Sequence, residues 1–238
     1  MPGFSNDVIL LGHYGGDLVH ACSAWTSTAR DLPKEKRERI PQFLKLLAEN
    51  EHHTPFEKSA LHFLIDTDIA THIHFLKHRI GVSINAESAR YKELKEDKYY
   101  IPEDWIMQKA ETEALKLQDN ADVTWADILA RYTEVSNRLY HDCVNSLTTT
   151  LGRKRAKESA RFFKSYNSQI QADVMFNFRS FAHFQVLRNS PDAQKEVRNV
   201  AQQMLHLVKS IPGNPFAHSI AAFGFDLPEF SSTPKNDK

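Results

Sequence analysis

Cysteine is nearly absent: 238 residues hold two, Cys22 and Cys143, at neither Cys-x-x-Cys nor metal-ligand spacing. That argues against a disulfide framework and fits a reducing compartment. Net charge is absent as well, thirty basic residues standing against thirty acidic ones. No global field therefore draws the chain to nucleic acid or to an anionic membrane, and any anion site has to be local. No stretch approaches the length of a membrane span, and Met1 to Asp7 carry no basic, apolar leader pattern. A cytoplasmic protein without membrane contact is expected. Internal repeats and low-complexity linkers are missing too, and 41% hydrophobic against 25% charged residues is ordinary for a globular chain. One domain over 1–238 is expected, long enough to bury a substantial core, with a polar tail over about 231–238.

What is present reads as an α+β chain with a helix-rich second half. Val8 to Leu11 is a short β-branched, apolar strand, and His13 to Gly16 a turn, after which Asp17 caps a helix to about Arg30. Pro33 suits the first turn of a helix carrying Ile40, Phe43, Leu44 and Leu47. Ala60 to Ile65 reads as a strand, and Asp66 or Thr67 caps a helix carrying Ile69, Ala70, Ile73 and Leu76. That helix delivers Lys77, His78 and Arg79 at its C-terminal end, where the macrodipole favours cations. Thr124-Trp125-Ala126-Asp127 is a capping-box start, followed at helical spacing by Trp125, Ile128, Leu129, Tyr132, Val135, Leu139 and Cys143. Cys143 is thus expected in the core rather than as a nucleophile. Ser190-Pro191 opens a last long helix with Val197, Val200, Ala201, Met204 and Val208 on one stripe.

The chemistry concentrates between Lys77 and Tyr91. Lys77-His78-Arg79 is followed within twelve residues by Ser83, Asn85, Glu87, Ser88, Arg90 and Tyr91, with Gly81 between. Folding requires no such density of donors and charges, which suits an anionic, hydrogen-bonding ligand.

The run resembles the signature of the flavin-dependent thymidylate synthases (ThyX family), Arg-His-Arg, seven residues, then Ser-x-Arg-Tyr. His52-x-Thr54-Pro55-Phe56-Glu57 resembles the element that precedes that signature in the family. Arg161, Asn177-x-Arg179 and Arg188 match its later Arg, Asn-x-Arg, Arg series, so the likeness runs from about Val8 to Arg198. The resemblance implies a central, mostly antiparallel sheet with flanking helices in a homotetramer with shared active sites. It implies a methyltransferase that makes dTMP from dUMP on FAD, with 5,10-methylenetetrahydrofolate as carbon donor and NADPH as reductant. Thr54, Lys77, His78, Arg79, Asn177 and Arg179 would hold FAD, with Glu87 and His183 beside them and His52 near the flavin. Ser88, Ala89 and Arg90 would cradle the dUMP phosphate with Arg161 of a neighbouring subunit, and His74, Lys77 and Glu87 would line the nucleotide. Arg188 would stabilise the N3-deprotonated uracil. Phe162, Phe163 and Tyr166 would be core or flavin-stacking residues.

The chain departs from the family in several places. Eight residues, Ile80 to Glu87, separate the basic triplet from Ser88, which moves Glu87 next to the serine. Lys77 replaces an arginine, His74 a glutamine, His183 an asparagine and Trp25 an arginine. These changes motivate a second reading, modification of another pyrimidine nucleotide or hydroxymethylation. A third is a non-catalytic nucleotide-binding protein on the same scaffold. No metal is expected: His72 and His74, two apart on a helix, point roughly two hundred degrees from each other, and no His-Glu-x-x-His run occurs. The basic stretch Arg153 to Lys157 reads as a solvated helix face or phosphate rim, without nucleic acid as partner.

Overall fold

Alternation sets the sheet. Leu61, Phe63, Ile65 and Thr67 are buried at every second position of one strand, as a half-buried strand requires. In the computed structural model, which describes residues 5–28, 34–94, 96–111 and 123–226, that strand is β2 (Ala60–Asp68). It pairs in an antiparallel sheet of order β1-β2-β4-β3 with β1 (Asp7–Tyr14), β3 (Val82–Ala86) and β4 (Gln169–Phe176). The β1 strand lies at an edge and continues through His13, where a turn was expected. The β2 strand runs three residues beyond Ile65.

The helices are α1 (Asp17–Trp25), α2 (Lys34–Glu38), α3 (Ile40–Glu49), α4 (Ile69–Phe75), α5 (Trp125–Leu151), α6 (Arg153–Ala160), α7 (Phe178–Arg188), α8 (Lys195–Lys209) and α9 (Ala217–Ala222). Several boundaries differ from expectation for local reasons. Asp17 is the first helical residue rather than the cap: its carboxylate accepts the His218 and Ser219 N–H groups at 2.8 Å each. The α1 helix stops at Trp25, and Arg30 and Pro33 lie outside the described residues. Pro41, without an N–H, sits in the first turn of α3, so the expected single helix becomes α2 and α3. The α4 cap is Asp68, whose Oδ1 accepts the Thr71 N–H at 2.8 Å, rather than Asp66 or Thr67. The α8 helix begins at Lys195, after a turn holding Ser190-Pro191, and α9 follows it. The tail over 231–238 lies outside the described residues.

By internal contacts the chain falls into two units. One comprises Met1–Asn6, Asp66–Ile73 and Ala86–Ala172; the other comprises Asp7–Ile65, His74–Asn85 and Asp173–Lys238. The second has an aromatic core: Phe56, Phe63, Phe75, Phe176, Phe178, Phe181, Phe184 and Phe216 are fully buried. Each such ring contributes about 1.5–3 kcal/mol. Phe75 stacks on Phe184 at 4.9 Å and Phe178 on Phe216 at 5.5 Å. Trp25 is buried against Phe43, centroids 4.9 Å apart, with the Lys36 ammonium 5.5 Å over its ring, so it serves packing.

The first unit is built on the 27-residue helix α5. Its capping box is present as expected: Thr124 Oγ1 accepts the Asp127 N–H at 3.2 Å and Asp127 Oδ2 accepts the Thr124 N–H at 3.0 Å. Its buried face is a correction. Ala126, Ala130, Thr133, Ser136, Asn137, Tyr140 and Val144 face inward, whereas Trp125, Tyr132, Val135 and Leu139 of the expected stripe are exposed. Small residues let α6 pack closely, and Asn137 accepts a bond from Lys164. Cys143 does pack against Tyr140, Val144 and Ala160. Phe162, at 86% exposure, and Phe163 and Tyr166 are not core.

Candidate active site

In the second unit, three sequence-distant segments meet at the first turn of α7. Asn177 caps that helix, its Oδ1 accepting the Ser180 N–H at 2.8 Å, and its own N–H donates to the Gly81 carbonyl at 3.0 Å. The Ser180 hydroxyl donates to the Ile80 carbonyl at 2.7 Å. Gly81 has φ +63°, and a Cβ there would collide with the Asn177 amide and the Ser180 hydroxyl. These contacts fix the loop after α4 that carries Lys77, His78 and Arg79. The third segment is the 3₁₀ turn Thr54–Glu57, preceded by exposed His52. Phe56 is buried near Phe178, and Glu57 forms an ion pair with Arg179.

The other end of α7 carries Arg188. It falls four residues after Phe184 and seven after Phe181, on the arc that faces the core, where an unpartnered guanidinium would be costly. Its partner is His78: Arg188 Nε–H donates to His78 Nε2 at 3.0 Å. The His78 ring is buried and meets Phe184 edge-on at 5.0 Å, with exposed His183 at 6.0 Å. Burial, then the charges of Arg188, His183 and His74, pull the His78 pKa down to about 4. His78 is therefore a neutral acceptor at neutral pH. His74 is half-buried and meets Gln194 at 3.1 Å.

Lys77 and Arg79 are exposed, and neither has an ion-pair partner among the described residues. With the N-terminal turn of α7, Asn177 and the Thr54 hydroxyl, they make a donor set suited to a polyanionic, amide-bearing cofactor. Sequence reasoning missed how Gly81 and Ser180 dock the basic loop, and that Glu57 pairs with Arg179. The positive φ expected of a lone glycine beside a charge cluster was the available signal.

The first unit carries the second group of expected residues. Ser88 opens a tight turn: its carbonyl accepts the Tyr91 N–H at 3.0 Å and its hydroxyl the Arg90 N–H at 3.3 Å. Ala89 is buried, and exposed Arg90 donates from Nε to Glu158 on α6 at 3.2 Å. Glu158 stands beside the basic stretch, and its pairing with Arg90 was not foreseen. Glu87 directly follows β3: its N–H donates to the Gln171 carbonyl at 2.9 Å, its carboxylate accepts the Gln171 N–H at 3.1 Å, and it pairs with Lys92. Arg161 is exposed in the 3₁₀ turn Arg161–Phe163. A cavity of about 600 Å³ in this unit is bordered by Glu87, Tyr91, Glu93, Asp97, Arg153, Lys157 and Lys164. Glu93 pairs with Arg153 and Asp97 with Lys164, so much of its charge is internally balanced. Among the described residues, no group of three His, Cys, Asp or Glu could hold a metal ion, and no helix is long and apolar enough to cross a membrane.

Comparison with known proteins adds the following. The profile of the family described as "Thymidylate synthase complementing protein" matches residues 10–212. A flavin-dependent thymidylate synthase of Thermosipho melanesiensis is 32% identical over 203 residues, 82% of each chain. One of Gluconobacter oxydans is 29% identical over 204 residues, 84% of this chain and 65% of the relative's length. One of Streptomyces avermitilis is 27% identical over 218 residues, 85% of this chain and 87% of the relative. In structure, the chain is similar to the UMP/dUMP methylase PolB of Streptomyces cacaoi bound with 5-Br dUMP. The TM-score is 0.70 at 23% identity, over 94% of this chain and 96% of the other.

Proposed function

The chain belongs to the family of thymidylate synthase complementing proteins, and on that premise we propose that it is a flavin-dependent thymidylate synthase making dTMP from dUMP. One observation carries the assignment to this chain's own residues. The Thr54–Glu57 turn, the Lys77–Gly81 loop and Asn177–Arg179 converge on one helix end, while Arg188 is held by a neutral histidine. Thr54, Lys77, His78, Arg79, Asn177, Arg179 and His183 hold FAD, with His52 close to it. FAD, when reduced, supplies the hydride equivalents for building the methyl group, with NADPH as reductant and 5,10-methylenetetrahydrofolate as carbon donor.

The protein's own contribution is positioning and charge. Ser88, Ala89, Arg90 and Arg161 bind the nucleotide phosphate, and His74 and Glu87 border the nucleotide. Arg188 stabilises the anion that develops on the uracil when N3 loses its proton, raising electron density at C5. A guanidinium stays protonated at any working pH, and a fixed donor costs no reorganisation as charge develops. Cys143 lies in the helix packing and needs no role as nucleophile.

The exposed stripe Tyr132, Val135 and Leu139 on α5, together with Phe162, supports assembly as a homotetramer in which Arg161 serves a neighbouring site. A single domain and a cytoplasmic location complete the proposal. The engagement of Glu87 by Gln171 and Lys92 favours, as second reading, another pyrimidine nucleotide or a hydroxymethyl product. Both are tested by mass-resolved product analysis with FAD, NADPH, methylenetetrahydrofolate and dUMP. A methylated nucleotide supports the first reading. A differently modified nucleotide supports the second, and absence of flavin binding removes both.

A further inference from the structure

We infer that His78 is a positioning residue for the reaction, holding Arg188 by its Nε–H so that the Nη groups of the guanidinium remain for the pyrimidine. The inference rests on the function proposed above. Arginine offers five N–H donors in a rigid fork. At 3.0 Å one of them is committed to His78 Nε2, which leaves four on the Nη atoms. Because arginine is never an acceptor, His78 Nε2 has to be, and a neutral ring then carries its proton on Nδ1. The contact thus fixes a tautomer as well as a side-chain direction.

The groups facing His78 all favour that state. From α7 come Arg188, His183 and the apolar edge of Phe184, and from α4 comes His74. No carboxylate is among them. A second proton on His78 would face the guanidinium charge at hydrogen-bond distance and break the bond. The fold also leaves Arg188 little choice. Its register on the arc of Phe181 and Phe184 directs it inward, and His78 is the acceptor it meets. A long side chain otherwise samples many rotamers, and holding a reacting group in place is worth orders of magnitude in rate.

The test uses the FAD-loaded full chain. His78→Phe is expected to lower kcat for dTMP by about a hundredfold, with a smaller change in KM for dUMP. His78→Gln, whose amide oxygen can accept from Nε–H, should recover about tenfold of that loss. Arg188→Ala combined with His78→Phe should be no slower than Arg188→Ala alone, because the two act as one unit. Losses that multiply independently would overturn the inference. Flavin absorbance reports whether any variant has lost the cofactor instead. If His78→Phe does not fold or load, nitrogen NMR of the wild type decides. A protonated Nδ1, an acceptor-type Nε2 at pH 7 and an upward shift of the His78 titration in Arg188→Gln are expected. A proton on Nε2 at pH 7 would sink the inference. A wild type that loads flavin, shows the NMR pattern and makes no modified nucleotide would reject the function and leave the His78–Arg188 contact standing.

Discussion

Gly81 is a residue whose requirement is backbone rather than chemistry. A side chain there would strain φ +63° and push against the Asn177 amide and Ser180 hydroxyl that dock the basic loop. Gly81→Ala should therefore cost at least ~2 kcal/mol in urea unfolding and lower flavin content; wild-type values of both would show the docking dispensable. Arg90 is a residue already engaged. Arg90→Ala should raise the Kd for dUMP about tenfold or more, as loss of a charge-assisted contact does. Glu158→Gln, which frees the guanidinium from its 3.2 Å partner, should leave that Kd unchanged or lower it. Calorimetric titration separates these outcomes, and an unaltered Kd in Arg90→Ala would remove it from the phosphate site. Lys77 and Arg79 stood out in the sequence because charges and amides at the density of Lys77 to Tyr91 have no folding purpose, whereas Asn177, Arg179 and Arg188 were singled out through the family resemblance. The pairings of Glu57, Glu158 and Ser180 were not legible, since a single polar side chain reveals its partner only once the backbone is placed.

At the scale of elements, α5 and α6 grip the segment that follows the Ser88 turn. His141 on α5 meets Glu93 Oε1 from Nδ1 at 3.1 Å and Asp97 Oδ2 from Nε2 at 3.0 Å. Both bonds are donated at once only when both ring nitrogens carry protons. Lys164 Nζ donates to Asp97 and to Asn137 at 2.7 Å each, the Lys157 ammonium reaches the Tyr91 carbonyl at 2.8 Å, and the Tyr140 hydroxyl accepts the Leu94 N–H at 3.2 Å. His141→Ala removes the bridge while leaving Arg153 on Glu93 and Lys164 on Asp97. A stability loss of about 1–2 kcal/mol is expected, with a several-fold rise in KM for dUMP because Arg90 lies in the same segment. Chemical denaturation and steady-state kinetics check the two parts, and a KM rise without any stability change would point to direct contact with the nucleotide. Element types were readable where burial follows period: β2, the α5 capping box and the α8 stripe. The inward face of α5 was not, because a search for large apolar residues passes over alanines, a serine and an asparagine that allow close packing and bind Lys164. The start of α1 and the start of α8 were set by tertiary partners and a turn, which periodicity does not register.

For the whole molecule, the apolar residues left outside on α5 and the Arg161–Phe163 turn make assembly a measurable property. On the proposed homotetramer, Tyr132→Glu with Leu139→Glu should lower the mass found by light scattering and reduce activity; an unchanged mass would remove this stripe from the proposed assembly. Acid response is a second global property. His20 is fully buried, its Nδ1 2.8 Å from Ser219 Oγ and its Nε2 2.8 Å from Ser59 Oγ. Ser219 donates its own hydroxyl proton to Asp17 at 2.6 Å, so its oxygen accepts from His20 Nδ1–H and Nε2 accepts from Ser59. That pattern needs a neutral ring, and burial lowers its pKa from 6.5 to about 4. Above pH 6.5 the ring is neutral in both folded and unfolded chains and contributes no pH dependence. Between 6.5 and 4 only the unfolded chain takes up the proton, so stability falls as pH falls. From pH 7 to pH 5 this one group should cost about 2 kcal/mol, and His78, lowered for related reasons, acts in the same direction. Urea unfolding of wild type and His20→Gln at both pH values isolates the contribution. The variant should start less stable at pH 7, having exchanged a ring that bridges two serines for an amide, yet lose about 2 kcal/mol less on acidification. Parallel losses in the two proteins would mean that the buried ring takes up its proton without unfolding, and that the Asp17–Ser219–His20–Ser59 chain can rearrange to admit it.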